Sequence, residues 1–266
     1  MNVSGVLRRL GEGRPLVHHL TNYVTVNLVA NATLSTGALP VMANAVEEVE
    51  EMAATASALV INMGTLDGAW VEAMILAGKE ANRRGIPVVL DPVGAGATRF
   101  RTETPERLLS EISFAAVCGN AGEISTLAGL AAEVRGVESI GGDARDAVEK
   151  AARRLGTTVA ATGEVDYVCD GERLFAVKNG DPMMGRIVGS GCASTAVVGC
   201  FAAVSGGGAE TVSGALAYFG RAGEAAAGAA EGPGTFEPRL LDTLASLAAE
   251  PGGLDGRLAV EELPLA

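Results

Sequence analysis

Three clusters of residues in this sequence have types and spacings that could do chemistry. Gly189-Ser-Gly-Cys-Ala-Ser-Thr195 is a glycine-bracketed turn directly before a long apolar stretch. If that stretch is a helix, several free N–H groups converge at its N-terminus. Such a site binds anions and can stabilise charge developing on a phosphoryl group in transfer. The same residues would equally make a tight turn with no ligand. Asp91-Pro-Val-Gly-Ala-Gly-Ala-Thr98 sets a carboxylate at the end of an apolar run, ahead of small residues that let a ligand approach the backbone. Asp91 is therefore a candidate for a metal or phosphate environment, with helix capping as the alternative. Gly119-Asn-Ala-Gly-Glu-Ile124 puts Asn120 and Glu123 at i and i+3 on the first turn of a helix, facing the same way. A carboxylate with a neighbouring amide can hold a water-rich Mg²⁺ that bridges phosphates. An Asn cap with Glu three residues on is also an ordinary capping box. The Gly-Lys-Ser/Thr ending of a Walker loop is absent, and so is G-x-G-x-x-G after a first strand, which counts against a dinucleotide enzyme.

The elements that must position these clusters follow from the hydrophobic pattern. Leu59-Val-Ile-Asn62, Ile86-Pro-Val-Val-Leu90, Ala115-Ala-Val117 and Thr157-Thr-Val-Ala160 read as strands buried on both faces. Amphipathic segments alternate with them, the signature of βαβ units around a mainly parallel sheet. One such segment, Asp67 to Arg84, places Trp70, Val71, Met74 and Ile75 on one stripe and stops at Gly85. Tyr167-Val-Cys169 and Leu174-Phe-Ala-Val177 flank Asp170-Gly171, which predicts a β-hairpin with a two-residue turn. From Gly191 to Glu250 the chain reads as three helices broken near Gly206 and Pro233, and the tail after Pro251 reads as loosely attached. In open α/β sheets ligands bind beyond the carboxyl ends of the strands, where the Asp91 cluster and the Asn120–Glu123 cluster fall.

Composition narrows the function class. The chain has 266 residues with 32 acids against 20 bases, a formal charge of −12, which opposes binding to nucleic acid or acidic membranes. A small-molecule partner and one domain over residues 1–266 are expected. Ile187 to Ala209 carries no charge and reaches the length of a membrane span, but its Gly, Ser, Ala and Thr content makes it a helix for a protein interior. Met1 to Gly13 lacks the basic-then-apolar layout of a secretory signal, so a cytoplasmic location is expected. Cys118, Cys169, Cys192 and Cys200 show no metal-ligand spacing and are expected as reduced thiols. His18 and His19, with no acid partner in sequence, are expected to pack structurally.

Taken in order, the motifs resemble the hydroxyethylthiazole kinase family. They are Pro15-Leu-Val-His18 with Thr21-Asn-Tyr-Val-Thr-Val-Asn27, Pro40-Val-Met42, Asp91-Pro-Val-Gly-Ala-Gly96, Gly119-Asn120 with Glu123-Ile124, Thr162-Gly-Glu-Val-Asp166, Asn179-Gly180 and Gly189-x-Gly-Cys192. The resemblance implies a three-layer αβα ribokinase-like fold with a mainly parallel central sheet and an antiparallel edge hairpin. It also implies ATP- and Mg²⁺-dependent phosphorylation of 5-(2-hydroxyethyl)-4-methylthiazole in thiamine biosynthesis, and a homotrimer with active sites at subunit interfaces. Carried over by position, thiazole contacts fall at Met42, Gly189 and Asn22. Nucleotide contacts fall at Thr162, Asn120 and Cys118, where the family pattern usually has an arginine, and Arg99, Lys178 or Arg186 could stand in for it. Asp91 and Glu123 serve Mg²⁺ and phosphates, and Gly189, Ser190, Gly191 and Cys192 form the anion hole. Cys192 stands where sugar kinases of the superfamily place an aspartate base, and a thiol could take that role only with a lowered pKa. Other ribokinase-like kinases, for hydroxymethylpyrimidine or sugars, and a non-catalytic binding protein are the competing readings.

Overall fold

The computed structural model describes residues 1–130 and 143–266 and, between them, the backbone of β6 (Glu133–Arg135) and β7 (Glu138–Ile140), which pair antiparallel. The main sheet contains β1 (Leu16–Leu20), β2 (Leu39–Val41), β3 (Ala58–Asn62), β4 (Val88–Asp91), β5 (Ala116–Asn120), β8 (Thr158–Thr162), β9 (Asp166–Cys169), β10 (Leu174–Val177) and β11 (Val260–Leu263). Their order is β11-β10-β9-β8-β5-β4-β3-β1-β2. From β2 to β8 all pairs are parallel, and β8 to β11 pair antiparallel.

The pleat assigns each strand residue to a face. Along β3, Ala58 and Val60 join one core cluster and Leu59 and Ile61 the other. The first cluster lies under α1 (Val3–Gly13), α2 (Val26–Ser35), α8 (Ser190–Ser205), α9 (Ala209–Ala229) and α10 (Pro233–Ala249). The second lies under α3 (Val49–Thr55), α4 (Gly68–Arg83), α5 (Arg99–Glu111), α6 (Ala121–Leu127) and α7 (Ala144–Leu155). A sheet with an apolar core on each face and helices over both is the three-layer arrangement that the family resemblance implies, built on the mainly parallel sheet that the sequence pattern predicts.

Local causes are visible in these elements. Asp67 caps α4 by accepting the Trp70 N–H at 2.8 Å, and Gly85 takes φ +69° just past its end. In α8 an added Cβ at Gly199 would run into the Val60 side chain, so the helix rests on the sheet at backbone distance. Among the described residues no helix is long and apolar enough to cross a membrane.

Two expectations are corrected. The β9–β10 loop is Asp170 to Arg173, four residues rather than two, because Asp170 Oδ1 accepts the N–H groups of Glu172 and Arg173 and closes a wider turn. The tail is not loosely attached. β11 adds to β10 over four residue pairs, and Glu149, buried on α7, accepts the Ala266 N–H at 3.0 Å.

Candidate active site

The sheet register gathers the site. Asn62 and Asp91 are direct neighbours at the tips of β3 and β4, and Asn120 and Thr162 at the tips of β5 and β8. Alternation along each strand turns these four positions to the face covered by α8. Opposite them, Gly189 turns the chain into α8 at φ +91°, and its Cβ, if present, would lie 2.5 Å from Thr25 Cγ2. A side chain at 189 is therefore excluded by both backbone and space. The first intrahelical bond runs from Ala193 N–H to the Gly189 carbonyl at 2.8 Å, and no side chain caps the start. The leading amides of a sixteen-residue helix are thus left for a ligand.

Between strand tips and helix lies a cavity of about 690 Å³ lined by Asn22, Asp91, Asn120, Glu123, Thr162 and the Gly189–Cys192 turn, with Gly64, Thr65 and Thr195 among further wall residues. The volume suits a small molecule. Of the positions named from sequence, Met42 and Cys118 stay off this wall. Met42 is half-buried just after β2. Cys118 is 1% exposed in the core on the α8 and α9 side, and burial pushes its thiol far above the usual range. Arg99 is exposed and paired with Glu103, Lys178 is exposed and paired with Glu261, and Arg186 is exposed, so none of the three lines the cavity.

Two buried carboxylates define one end. Burial, and next the neighbouring Glu123, push Asp91 well above the ordinary carboxylate range, while hydrogen bonds with Thr195, Asn62 and Cys192 act in the opposite direction. Burial pushes Glu123 up to about 7 although its oxygens accept the Gly94 and Asn120 N–H groups at 2.7 and 2.8 Å. Glu123 and Asn120 also complete a capping box at the start of α6. The capping and site readings of Glu123 therefore hold together: one carboxylate ties two loops while facing the cavity. Two adjacent acids whose ionisation burial opposes suit a divalent cation, which would draw off their protons, take few protein oxygens and keep water or phosphate as its other ligands.

Cys192 does not meet the condition for a base. Burial, then the Asp91 carboxylate, push its thiol up to about 11, so it stays protonated at neutral pH despite the helix terminus. Its sulfur instead accepts from the amides of Asn62 at 3.2 Å and Asn22 at 3.5 Å. Asn22 lines the cavity, yet its Nδ2 also donates to Thr25 Oγ1 and Asn62 Oδ1, and its Oδ1 accepts the Thr25 N–H. Its amide is spent within the protein.

Two residues escaped the sequence reading. Asn62 closes the apolar run Leu59-Val-Ile and was legible only as the end of a strand. Arg101, on the first turn of α5, donates to the carbonyls of Met63, Gly64 and Val93, locking the loops after β3 and β4 together. No local pattern announces that role.

A sequence profile described as the hydroxyethylthiazole kinase family matches residues 7–250. A curated hydroxyethylthiazole kinase of Rubrobacter xylanophilus is 70% identical over 261 residues, covering 98% of each chain. The chain belongs to the hydroxyethylthiazole kinase family. A solved structure of a hydroxyethylthiazole kinase family protein from Pyrococcus horikoshii superposes with a TM-score of 0.88 at 42% identity, over 98% of this chain and 99% of that one. A ribokinase-like superfamily protein from Enterococcus faecalis, 13% identical with a TM-score of 0.66 over 93% of this chain and 94% of its own, shares the fold. The glycine-rich turn and the aspartate-tipped strand of this chain both lie within the matched residues and both line the cavity described above.

Proposed function

We propose that the protein, acting as one domain over residues 1–266, transfers the γ-phosphoryl group of ATP to the hydroxyl of 5-(2-hydroxyethyl)-4-methylthiazole for thiamine synthesis in the cytoplasm. The observation that carries this reading is the placement of an uncapped helix N-terminus across one cavity from two buried carboxylates. Phosphoryl transfer asks for that pairing, donors for the transferring oxygens on one side and acids for the metal on the other. Asp91 and Glu123 would hold Mg²⁺, which neutralises phosphate charge when bound. The amides of Ser190, Gly191 and Cys192 hold the transferring group, and Thr162 and Asn120, at neighbouring strand tips, border the nucleotide. With a loose transition state, position and field supply most of the rate, which suits a site whose Cys192 thiol remains neutral.

A homotrimer belongs to the same reading. Val24 and Val188 line the cavity yet are 70% and 73% exposed, and Tyr23 is 66% exposed beside them in sequence. An apolar rim at a cavity mouth suits closure by a neighbouring copy. The test is a substrate panel with direct phosphate-transfer readout, containing the thiazole alcohol, hydroxymethylpyrimidine and a ribose-like sugar. Preference for the thiazole alcohol supports the proposal; a far better turnover of either alternative, or no turnover of any, overturns it.

A further inference from the structure

We infer that Asn62 is a positioning residue for the transfer reaction: its amide ties the Asp91 carboxylate to the Cys192 sulfur and so holds strand tip and helix N-terminus in one working geometry. The inference rests on the phosphotransfer reading above. Its first ground is that the amide cannot be turned round. The Gly64 backbone N–H, which can only donate, reaches Asn62 Oδ1 at 2.9 Å, and Asn22 Nδ2 reaches the same oxygen at 2.9 Å. With Oδ1 fixed, Nδ2 faces the site and donates to Asp91 Oδ2 at 2.7 Å and to Cys192 Sγ at 3.2 Å. The residue is 3% exposed, so these bonds do not compete with bulk water.

Its second ground is topological. Asp91 ends β4 and Cys192 lies in the first turn of α8, and these belong to different layers. Asn62 stands on the strand next to Asp91, paired with it in register, and under the helix. It thus joins the two halves that transfer must hold at fixed separation, and a misplacement of about 1 Å can cost on the order of a hundredfold in rate.

Asn62→Asp separates this role from a structural one. The carboxyl group keeps the shape and both acceptor bonds, to Gly64 and Asn22, but beside the buried Asp91 it holds at most one proton shared between the two acids and has none left for Cys192, so the link from strand tip to helix is broken. The variant, melted against wild type to establish folding, should lose about a hundredfold in kcat. Its affinity for the thiazole alcohol, measured calorimetrically without nucleotide, should stay within about threefold, because the lost bonds orient the reacting apparatus rather than the alcohol. Made in a Cys192→Ala background, the same change should cost clearly less than in wild type, since residues acting as a unit are not additive. Should Asn62→Asp fail to fold, Asn62→Ala takes its place in all three measurements. A kcat within threefold of wild type, a loss that appears only as weaker alcohol binding, or equal losses in both backgrounds would overturn the inference. The kinetic comparison uses whichever alcohol the wild type phosphorylates, so an error in the substrate assignment shows in the wild-type control and not in the variant.

Discussion

Gly191 and Gly189 stand two residues apart and should answer substitution in opposite ways. A Cβ at Gly191 meets no atom within 4 Å, so Gly191→Val should fold with a melting temperature near wild type while turnover is lost, because the side chain fills the space of the phosphoryl group. Near-normal kcat in the folded variant would remove the helix terminus from the mechanism. Gly189→Val adds the clash with Thr25 to a left-handed backbone and should lower the melting temperature as well as activity. A different residue-scale effect comes from His19. The Thr33 hydroxyl donates to the Val29 carbonyl and so accepts from His19 Nε2, leaving Nδ1 bare in the core. Burial, then the neighbouring His18, lowers the His19 pKa to about 3. Its folded pKa lies below the unfolded value near 6.5, so the unfolded chain binds more protons between them. Stability should then be complete above pH 6.5 and fall as the pH drops toward 3, by about 1.4 kcal/mol per unit. Urea unfolding at pH 7.5 and 5.0 should show wild type losing about 2 kcal/mol that His19→Gln does not lose. Equal losses would place the acid sensitivity elsewhere.

At the scale of elements, β11 makes the clearest demand. It covers β10 along four residues, and Arg173 grips Glu262 through two nitrogens, each at 2.9 Å. Ending the chain before Val260 should lower the melting temperature by roughly 4–8 °C, corresponding to about 2 kcal/mol, as read by circular dichroism. An unchanged melt would return the tail to a minor role. The sequence was silent here for a physical reason: Val260-Glu-Glu-Leu263 is a half-exposed edge strand, and nothing local distinguishes it from a polar tail. Central strands were legible because burial on both faces requires unbroken apolar runs, as at Leu59 to Ile61 and Val88 to Leu90. β1 carries His18 and His19 in its centre, and that interrupts the same signal. The site was legible in proportion to its backbone needs. Glycines 189 and 191 and the tip carboxylate Asp91 mark themselves by type, whereas Asn62 and Arg101 act through partners far away in sequence that only the fold supplies.

At the scale of the whole molecule, the apolar rim should govern assembly. Sedimentation of the wild type should give a trimer, and Val24→Asp, a charge placed on a 70% exposed rim residue, should shift it toward smaller species. A wild-type monomer would break the oligomer reading without touching the substrate assignment. The sheet that runs through the molecule has two free margins, β2 and β11. In β2 the Leu39 N–H turns inward to the Pro15 carbonyl, so alternation turns the nitrogen of residue 40 outward, and that residue is proline. At the other margin β11 carries Glu261 and Glu262, side by side. One border therefore lacks the outward amide that a foreign strand would seek, and the other is flanked by the Arg173–Glu262 and Lys178–Glu261 ion pairs, which a docking strand would have to strip of water. When the protein is warmed at high concentration, its folded form should not seed cross-β fibrils. Pro40→Val, which restores an outward donor and a β-branched side chain, should raise thioflavin fluorescence at temperatures where the wild type stays clear.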